Sequence, residues 1–460
     1  GAGSGASSGL LSLNRPEVLM IIGASQTQGY RRTALHPLGS LDDHAYVLTD
    51  AGVTTLIIDP TEAFVERAIG LLEKVPSLKQ ILTIGPVPDA LIGSAIDLAA
   101  EAAKYEPQPL QAADLAPDHV GGLTYTGGTT GKPKGVIGTT QSISTMTTIQ
   151  LAEWEWPEHP RFLMCTPLSH AGAAFFTPTI VKGGELIVLK KFDPAEVLRV
   201  IEEQKITATM LVPSMLYALM DHPDFKNLDF SRLKLTNSGG TALVKATAER
   251  WQQMTGCTIV EGYGLTETSP VATTNCYGKL ARLGSVGIPV AGTTLKVIDD
   301  NGVEQPLGER GELCIKGPQV MKGYWQRPEA TAEVLDEEGW FKTGDIAVID
   351  PDGHVRIVDR KKDMIIVSGF NVYPNEIEDV VMAHPKVASC AAIGVPDEKS
   401  GEAVKLFVVA REGGVTVEEI KAYCKENFTG YKVPKHIVLK DALPMTPVGK
   451  ILRRELRDIA

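Results

Sequence analysis

From about residue 10 to residue 260, short apolar runs rich in β-branched residues alternate with stretches whose apolar residues recur at helical spacing. This alternation is typical of α/β folds with mainly parallel strands. In the clearest unit, Asp193 is expected to cap a helix that begins at Pro194, and a buried strand follows over 207–212. A further strand over 233–236 ends in a Ser-Gly-Gly turn. The pattern therefore predicts a layered α/β unit in the front of the chain.

Beyond about residue 280, the segments between apolar runs have the turn sequences of antiparallel hairpins. One such turn, Asp350-Pro351-Asp352-Gly353, joins apolar runs over 346–349 and 355–358. A charged run over 359–363 ends this section, and an α+β pattern follows, with helices expected to begin at Pro374 and after Thr416.

We therefore predict an α/β protein with a large multi-subdomain N-terminal part and a small α+β C-terminal domain. The large part is expected to contain mainly parallel sheets and an antiparallel section. The predicted boundaries are 10–359 for the N-terminal part and 360–460 for the mobile C-terminal domain. Residues 1–9 are rich in Gly and Ser and are predicted to be a flexible, linker-like end.

Composition narrows the class of protein. The 460 residues carry 45 Lys and Arg against 56 Asp and Glu, a formal net charge of −11, which argues against nucleic-acid binding because that needs a basic surface. No apolar run reaches the roughly 18 residues of a spanning helix, so peripheral membrane contact is left open and a spanning segment is not expected. The six cysteines are dispersed without metal-ligand spacing, as is typical of the cytoplasm. The oligomeric state is not indicated.

The strongest chemical signal is a predicted strand that runs into a loop of Gly, Thr and Lys, from Leu123 to Gly135. Glycine backbone N–H groups, threonine hydroxyls and lysine ammonium groups together describe a phosphate cradle. The loop is not a Walker A motif, because Thr126 and Pro133 stand where that motif needs Gly and Ser or Thr. A flexible hairpin tip is the competing interpretation, and the density of phosphate-binding residue types weighs against it.

Three weaker motifs follow in order along the chain. In the run from Glu261 to Thr268 (EGYGLTET), a tyrosine between glycines can lie against a flat base and a carboxylate can hold Mg²⁺ against phosphates. The other two are Lys342-Thr343-Gly344-Asp345 with the charged run over 359–363, and the segment from Pro444 to Lys450. Taken alone, each motif is more typical of a core tyrosine or of solvated charges than of a functional site, so only their order indicates a function.

In this order the motifs resemble the acyl-adenylate-forming superfamily, which includes acyl-CoA synthetases, luciferases and peptide-synthetase adenylation domains. The resemblance runs from about residue 10 to the end, and the stretches 344–378 and 448–456 are most similar to bacterial long-chain fatty acid–CoA ligases. It implies activation of a fatty acid by ATP to acyl-AMP, with release of pyrophosphate, and then transfer of the acyl group to CoA with release of AMP. ATP, Mg²⁺ and coenzyme A are thus the implied cosubstrates and cofactor.

The resemblance also implies a role for individual residues. The phosphates of ATP would be bound by Thr126, Gly127, Gly128, Thr129, Thr130, Gly131 and Lys134. The adenosine would be bound by Gly239, Gly240, Thr241, Glu261, Gly262, Tyr263, Gly264, Asp345 and Arg360. The catalytic residues would be Thr266 on the α-phosphate, Glu267 as the ligand of Mg²⁺, and Lys450 between the substrate carboxylate and the α-phosphate.

Three further assignments have plain structural alternatives. His170 would lie beside the acyl carboxylate, but a histidine after a strand is often structural. Lys362 would be the hinge of the small domain, and Gly369 would line the passage for the pantetheine arm of CoA. A surface lysine and a turn glycine are the competing interpretations. The apolar stretch 171–179 suits the wall of an acyl pocket and a buried helix equally well.

Other functions stay open at this point. A ligase for aryl or short-chain acids, a fatty acyl-AMP ligase without the CoA step, and a nucleotide-binding module without turnover all fit the motifs. Asn14 and Glu17 match a family stretch that several tens of residues usually precede, so we expect a truncated or excised chain. From about Leu228 onward the chain resembles the proteobacterial type of long-chain ligase, whereas the part before it resembles another branch of fatty acyl-CoA synthetases. This difference suggests recombined or engineered parentage.

Overall fold

A computed structural model describes residues 6–126, 132–240, 243, 245–275, 282–445 and 451–459. These residues form four β-sheets: two of seven strands each, one of four and one of five. Helices accompany the two large sheets, the four-stranded sheet follows them, and the five-stranded sheet belongs to a smaller C-terminal α+β unit. The predicted fold class is confirmed.

The first sheet is built from the front third of the chain. Its strands are β1 (Ser7–Leu11), β2 (Arg31–Ala34), β3 (Thr55–Ile58), β4 (Gln80–Thr83), β5 (Ala95–Asp97), β6 (Val120–Thr126) and β7 (Lys134–Thr139). The helices of this part are α1 (Pro16–Gln28), α2 (Leu41–Asp50), α3 (Glu62–Lys74), α4 (Leu98–Ala102) and α5 (Thr140–Glu153). The strand order is β5-β4-β3-β1-β2-β6-β7, and only β7 runs antiparallel to its neighbour.

The front of the chain corrects one expectation. Residues 7–9, predicted to belong to a flexible end, lie in β1, which pairs with β2 on one side and β3 on the other. The small residues there serve packing, since a Cβ on Gly9 would come within 2.7 Å of Leu48. Composition alone suggested a linker because Gly and Ser are also the residues of flexible segments.

The second sheet is parallel in its first five strands along the chain and ends in two antiparallel strands. Its strands are β8 (Arg161–Met164), β9 (Glu185–Val188), β10 (Ala208–Met210), β11 (Leu235–Ser238), β12 (Ile259–Tyr263), β13 (Thr273–Thr274) and β14 (Ile288–Pro289). Its helices are α6 (Phe176–Val181), α7 (Pro194–Glu203), α8 (Pro213–Met220) and α9 (Lys245–Thr255). The predicted cap of α7 is confirmed, because the Asp193 side chain accepts a hydrogen bond from the Glu196 N–H at 3.0 Å.

One hydrophobic cluster joins the two large sheets. Leu10 and Ile57 of the first sheet pack in it with Phe162 and Leu235 of the second, and Ile22 of α1 lies among them. All five side chains are at least nine-tenths buried. The two sheets are therefore layers around a shared core, which fixes the ends of their strands relative to one another.

The remaining strands form two antiparallel-rich sheets. The third sheet contains β15 (Thr294–Ile298), β16 (Arg310–Lys316), β17 (Phe341–Ile349) and β18 (Val355–Arg360), and α10 (Pro328–Val334) lies between β16 and β17 in the chain. The fourth contains β19 (Ile365–Val367), β20 (Phe370–Val372), β21 (Val387–Asp397), β22 (Gly401–Ala410) and β23 (His436–Lys440), with helices α11 (Pro374–Met382), α12 (Val417–Asn427) and α13 (Arg453–Asp458). Short 3₁₀ helices cover Asp89–Leu91, Ala171–Phe175, Pro223–Asn227, Thr266–Thr268, Lys361–Asp363 and Gly430–Lys432.

These two sheets confirm the hairpin and cap predictions. β17 and β18 pair around the turn at 350–353, Pro374 begins α11, and Thr416 and Glu419 form the capping box of α12. The boundary near residue 359 stays a prediction, and β18 extends through Arg360. Over the ranges that the structure describes, no helix combines the length and the apolar character needed to cross a lipid bilayer.

Candidate active site

The predicted site residues follow the carboxyl ends of parallel strands. Thr126 ends β6, Gly239 comes directly after β11, Tyr263 ends β12, and His170 follows β8 by a short loop. In open parallel sheets, ligands bind in the crevice outside these strand ends. These predicted residues therefore lie at the carboxyl edges of the two large sheets.

Two paired antiparallel strands flank the predicted phosphate loop in the sequence. Thr126 on β6 pairs with Lys134 on β7, so these two residues mark the base of the loop. Gly127, Gly128, Thr129, Thr130 and Gly131 lie outside the described residues, and their phosphate contacts stay predictions.

Helix α2 holds both ends of this loop. At the first end, the Tyr125 hydroxyl donates to Asp50 Oδ2 at 2.6 Å, and Arg327 Nη2 donates to Asp50 Oδ1 at 2.5 Å. At the other end, the Tyr46 hydroxyl donates to the Pro133 carbonyl at 3.0 Å. The base of the loop is thus fixed by Tyr46, Asp50 and Arg327, which lie outside the sequence motifs.

The predicted Mg²⁺ ligand lies close to Lys134, the residue that begins β7. Glu267 is 8% exposed, in the 3₁₀ helix that Thr266 begins, and its Oε1 accepts a hydrogen bond from the Tyr324 hydroxyl at 2.9 Å. The Nζ of Lys134 lies 4.8 Å from the centre of the Tyr324 ring. Glu267 and Lys134 are distant in the sequence, but both contact Tyr324, Glu267 at the hydroxyl and Lys134 at the ring.

The residues assigned to adenosine also converge. The Tyr263 hydroxyl donates to Asp345 Oδ2 at 2.6 Å, and Arg360 Nε lies 3.5 Å from Asp345 Oδ1. Burial, and next the Asp345 carboxylate, raise the pKa of Tyr263 well above its ordinary value, so the phenol stays a donor at neutral pH. Part of the Tyr263 ring packs against the core of the third sheet, so the core interpretation of this residue is also borne out.

The glycines of the second motif lie where backbones approach closely. A Cβ on Gly264 would come within 2.3 Å of the Pro270 carbonyl carbon, so only glycine fits there without rearrangement. Gly239, Gly240 and Gly262 line the same strand ends, and Thr241 lies outside the described residues.

Glu261 is buried at the end of β12 and gives a pH prediction. It is 7% exposed, and burial raises the pKa of its carboxyl to about 8. A raised carboxyl pKa stabilises the fold below the unfolded value of 4.5, and this stability is lost as the pH rises towards 8. A Glu261→Gln variant should therefore gain stability over wild type between pH 5 and 8, by roughly 2 kcal/mol. Linkage allows roughly 1.4 kcal/mol per pH unit between 4.5 and about 8. The expected gain is about half of that total, because water penetration lowers the free-energy cost of charging the buried carboxyl.

Urea unfolding at pH 5, 6.5 and 8 measures this difference. Gln cannot titrate, so a raised pKa of Glu261 must appear as a pH-dependent difference in the free energy of unfolding between the two proteins. A difference that is the same at all three pH values would contradict the raised pKa.

His170, which is predicted to lie beside the acyl carboxylate, directly precedes the 3₁₀ helix that begins at Ala171. Its Nδ1 lies 3.0 Å from Ser169 Oγ, and its ring meets His36 edge-on with 5.0 Å between centroids. The helices over 171–181 pack against the core cluster that joins the sheets. The stretch 171–179 is thus helical and partly buried, as one of its two interpretations predicted.

The residues expected to move or close the site lie in the C-terminal part. Lys362 is in the 3₁₀ helix between β18 and β19, and Gly369 is exposed in the turn between β19 and β20. Lys450 lies outside the described residues, but Met445 and Ile451 on either side of that segment form an antiparallel bridge. The roles of these three residues stay predictions.

The donor set around Glu267 fits Mg²⁺ held jointly with a nucleotide. The described ranges contain no cluster of three or more His, Cys, Asp or Glu side chains placed to hold a metal ion. Mg²⁺ is commonly bound through one or two carboxylates together with substrate phosphates, and the buried carboxylate of Glu267 close to Lys134 matches that mode.

Sequence reasoning missed Tyr324 and Asp50. The only signal for Tyr324 was the Gly323-Tyr324-Trp325 run, which resembles the Gly-Tyr-Gly of the second motif. Nothing in its spacing indicates contact with Glu267. Asp50 ends an amphipathic helix and looks like a solvated charge until the fold places Tyr125 and Arg327 on it.

Comparison with known proteins gives the family. Residues 1–325 match the model of the AMP-binding enzyme, and residues 376–450 match that of the AMP-binding enzyme C-terminal domain. The chain belongs to the AMP-binding enzyme family. The superfamily resemblance read from the motifs is therefore confirmed.

Individual members of the family resemble the chain over most of its length. A medium/long-chain fatty-acid–CoA ligase of Mycobacterium tuberculosis is 58% identical over 467 aligned positions, 99% of this chain and 82% of the relative. A long-chain fatty-acid–CoA ligase of Escherichia coli is 46% identical over 75% of this chain, which spans 63% of that relative. Because a single relative matches both halves, the uneven resemblance no longer indicates two parents.

A solved structure agrees along the whole fold. The amide bond synthetase McbA of Marinactinospora thermotolerans superposes with a TM-score of 0.90 at 30% identity, covering 100% of this chain and 90% of that one. The four-sheet architecture described above is thus the architecture of the AMP-binding enzymes.

Proposed function

We propose that this protein is an AMP-forming fatty acid–CoA ligase. The observation that carries the proposal is the convergence of motifs: Tyr263 bonds Asp345, and Glu267 and Lys134 meet at Tyr324. The relative that is 58% identical and named for medium- and long-chain fatty acids supports the substrate class. We also propose a reducing compartment such as the cytoplasm, which the buried, unbridged thiols of Cys165, Cys257, Cys314, Cys390 and Cys424 support.

The first half-reaction joins two anions. The fatty acid carboxylate attacks the α-phosphorus of ATP, the bond to the bridging oxygen breaks, and pyrophosphate leaves. Fixed positive charge and backbone donors at the phosphorus lower the barrier because they are in place before charge develops. Lys134 would hold the β- and γ-phosphates, Thr266 the α-phosphate, and Lys450 both the carboxylate and the α-phosphate.

The remaining residues hold the nucleotide. Tyr263 would lie against adenine, while Asp345, held by Tyr263 and next to Arg360, would accept hydrogen bonds from the ribose hydroxyls. Mg²⁺ bound with ATP would neutralise charge on the phosphates, and Glu267 would hold it. In the second half-reaction the CoA sulfur attacks the acyl carbon, AMP leaves, and the thiol proton is released. The small domain would re-orient about Lys362 between the two steps.

Pyrophosphate release with ATP, Mg²⁺ and a panel of acids tests this function. We expect release with medium- and long-chain fatty acids, and formation of the acyl thioester and AMP only when CoA is added. Release with aryl or short-chain acids instead would identify the nearest alternative. AMP formation indifferent to CoA would favour an acyl-AMP ligase, and no release with any acid would refute the enzyme assignment.

A further inference from the structure

The segment 321–325 lies between the two motifs that would hold the phosphates and the metal ion. At one end the Met321 N–H donates to the Glu267 carbonyl at 2.7 Å. At the other end the Trp325 N–H donates to the Gly135 carbonyl at 2.7 Å, next to Lys134. The segment is therefore attached through its main chain to the 3₁₀ helix of Glu267 and to β7.

The side chain of Tyr324 makes two further contacts across this gap. Its hydroxyl donates to Glu267 Oε1 at 2.9 Å, and its ring faces the Nζ of Lys134 at 4.8 Å from the centroid. The face of an aromatic ring attracts a cation at this distance.

These side-chain contacts are not needed to hold the segment itself. The Tyr324 N–H donates to Thr331 Oγ1 at 2.9 Å, and Val136 and Tyr324 form an antiparallel bridge through their main chains. A phenylalanine would keep all of these backbone bonds and the ring. The hydroxyl is therefore separable from the packing, and its one described partner is the carboxylate of Glu267.

We propose that Tyr324 is a positioning residue that couples binding of the metal ion to binding of the ATP phosphates. Its hydroxyl fixes the rotation of the Glu267 carboxylate, and its ring holds the Lys134 ammonium group close to that carboxylate. One rigid side chain thus sets the distance between the group that would bind Mg²⁺ and the group that would bind the β- and γ-phosphates. The inference rests on the proposed function in assigning those two ligands.

Equilibrium binding of ATP, without fatty acid or CoA, tests the coupling. We expect Tyr324→Phe to weaken ATP binding about tenfold in excess Mg²⁺, the value of one hydrogen bond to a carboxylate, and to leave binding in EDTA unchanged. Tyr324→Leu also loses the ring, so its binding should weaken in EDTA as well, by about threefold. Tyr217→Phe is the matched control, because its hydroxyl accepts from Thr247 Oγ1 at 2.6 Å outside the two motifs.

The pattern of losses decides between coupling and simple stabilisation. The proposal would be overturned if Tyr324→Phe weakened ATP binding equally in Mg²⁺ and in EDTA, or if this variant bound ATP as tightly as wild type under both conditions. In a Glu267→Gln background the Tyr324→Phe change should no longer alter the ratio of the two dissociation constants, and a full tenfold change there would also overturn it. Because no acid is present, a protein that binds Mg²⁺ and ATP but activates another acid would refute the proposed function and leave this result intact.

Discussion

Lys450→Ala is expected to slow acyl-AMP formation by roughly 10²–10³-fold, the typical cost of removing one group that stabilises transition-state charge. Lys450 would bridge the attacking carboxylate and the α-phosphate, so its positive charge matters most when the two anions meet. ATP binding should change by less than about threefold, since Lys134 and the adenosine-binding residues are intact. Single-turnover formation of acyl-AMP from ATP and a fatty acid measures the effect.

Two comparisons make this result specific. Lys421→Ala removes an exposed lysine from α12 in the same C-terminal part and should adenylate at the wild-type rate. The Lys450→Ala protein supplied with preformed acyl-AMP should still transfer the acyl group to CoA, because that step needs no attack on phosphorus. Adenylation at full rate by Lys450→Ala would contradict the catalytic assignment.

The net charge of −11 makes the placement of the cations important. Lys134 faces the ring of Tyr324, Lys132 lies 5.1 Å from the centre of the Tyr46 ring, and Arg360 lies next to Asp345. Each of these cations thus has an aromatic or acidic neighbour that holds it near a proposed ligand group. A protein with excess negative charge can bind ATP in this way because charges beyond a Debye length of about 10 Å are largely screened.

Local signals predicted the elements well. The cap at Asp193, the prolines at 194 and 374, and the hairpin turn at 350–353 act over a few residues, so their physics is present in the sequence itself. Residues 7–9 show the limit of such signals. Their small side chains suggested a linker, and only the strands on both sides and the approach of Leu48 to Gly9 explain why small residues are needed in β1.

The sequence likewise predicted some residues of the candidate site and not others. Motif order indicated Tyr263, Glu267 and Asp345, but the hydrogen bond between Tyr263 and Asp345 depends on how the second sheet packs on the third. Tyr324 and Asp50 were not identified at all, because their importance lies in contacts with residues far away in the sequence. Contacts of this kind are set by tertiary packing and leave no periodic or spacing signal.

A second network of this kind connects the end of the chain to the predicted hinge region. Arg453, the first residue of α13, donates through Nη2 to both carboxylate oxygens of Glu378 at 2.8 Å and to Asn375 Oδ1 at 2.9 Å. Its Nη1 lies 3.7 Å from Asp363 Oδ2. The side chains of Glu378 and Asp363 are 14% and 8% exposed, so Arg453 neutralises two largely buried carboxylates.

Arg453→Met is therefore expected to lower the free energy of unfolding of the C-terminal part by about 3 kcal/mol. Removing one partner of a buried ion pair leaves the other charge in a poorly solvated place, and this penalty exceeds the attraction that is lost. Urea unfolding followed by circular dichroism measures it. Arg454→Met is the matched control, because this neighbouring side chain is exposed and its loss should change stability by less than about 0.5 kcal/mol.

The origin of the penalty can be separated from the loss of packing. If the stranded carboxylate is responsible, adding Glu378→Gln to Arg453→Met should recover at least about 1 kcal/mol, although Glu378→Gln alone should destabilise the protein. Additive losses in the double variant would instead assign the effect to the methylene contacts of the arginine. Since Arg453 also contacts Asp363, the neighbour of Lys362, the same network holds α13 next to the predicted hinge residue.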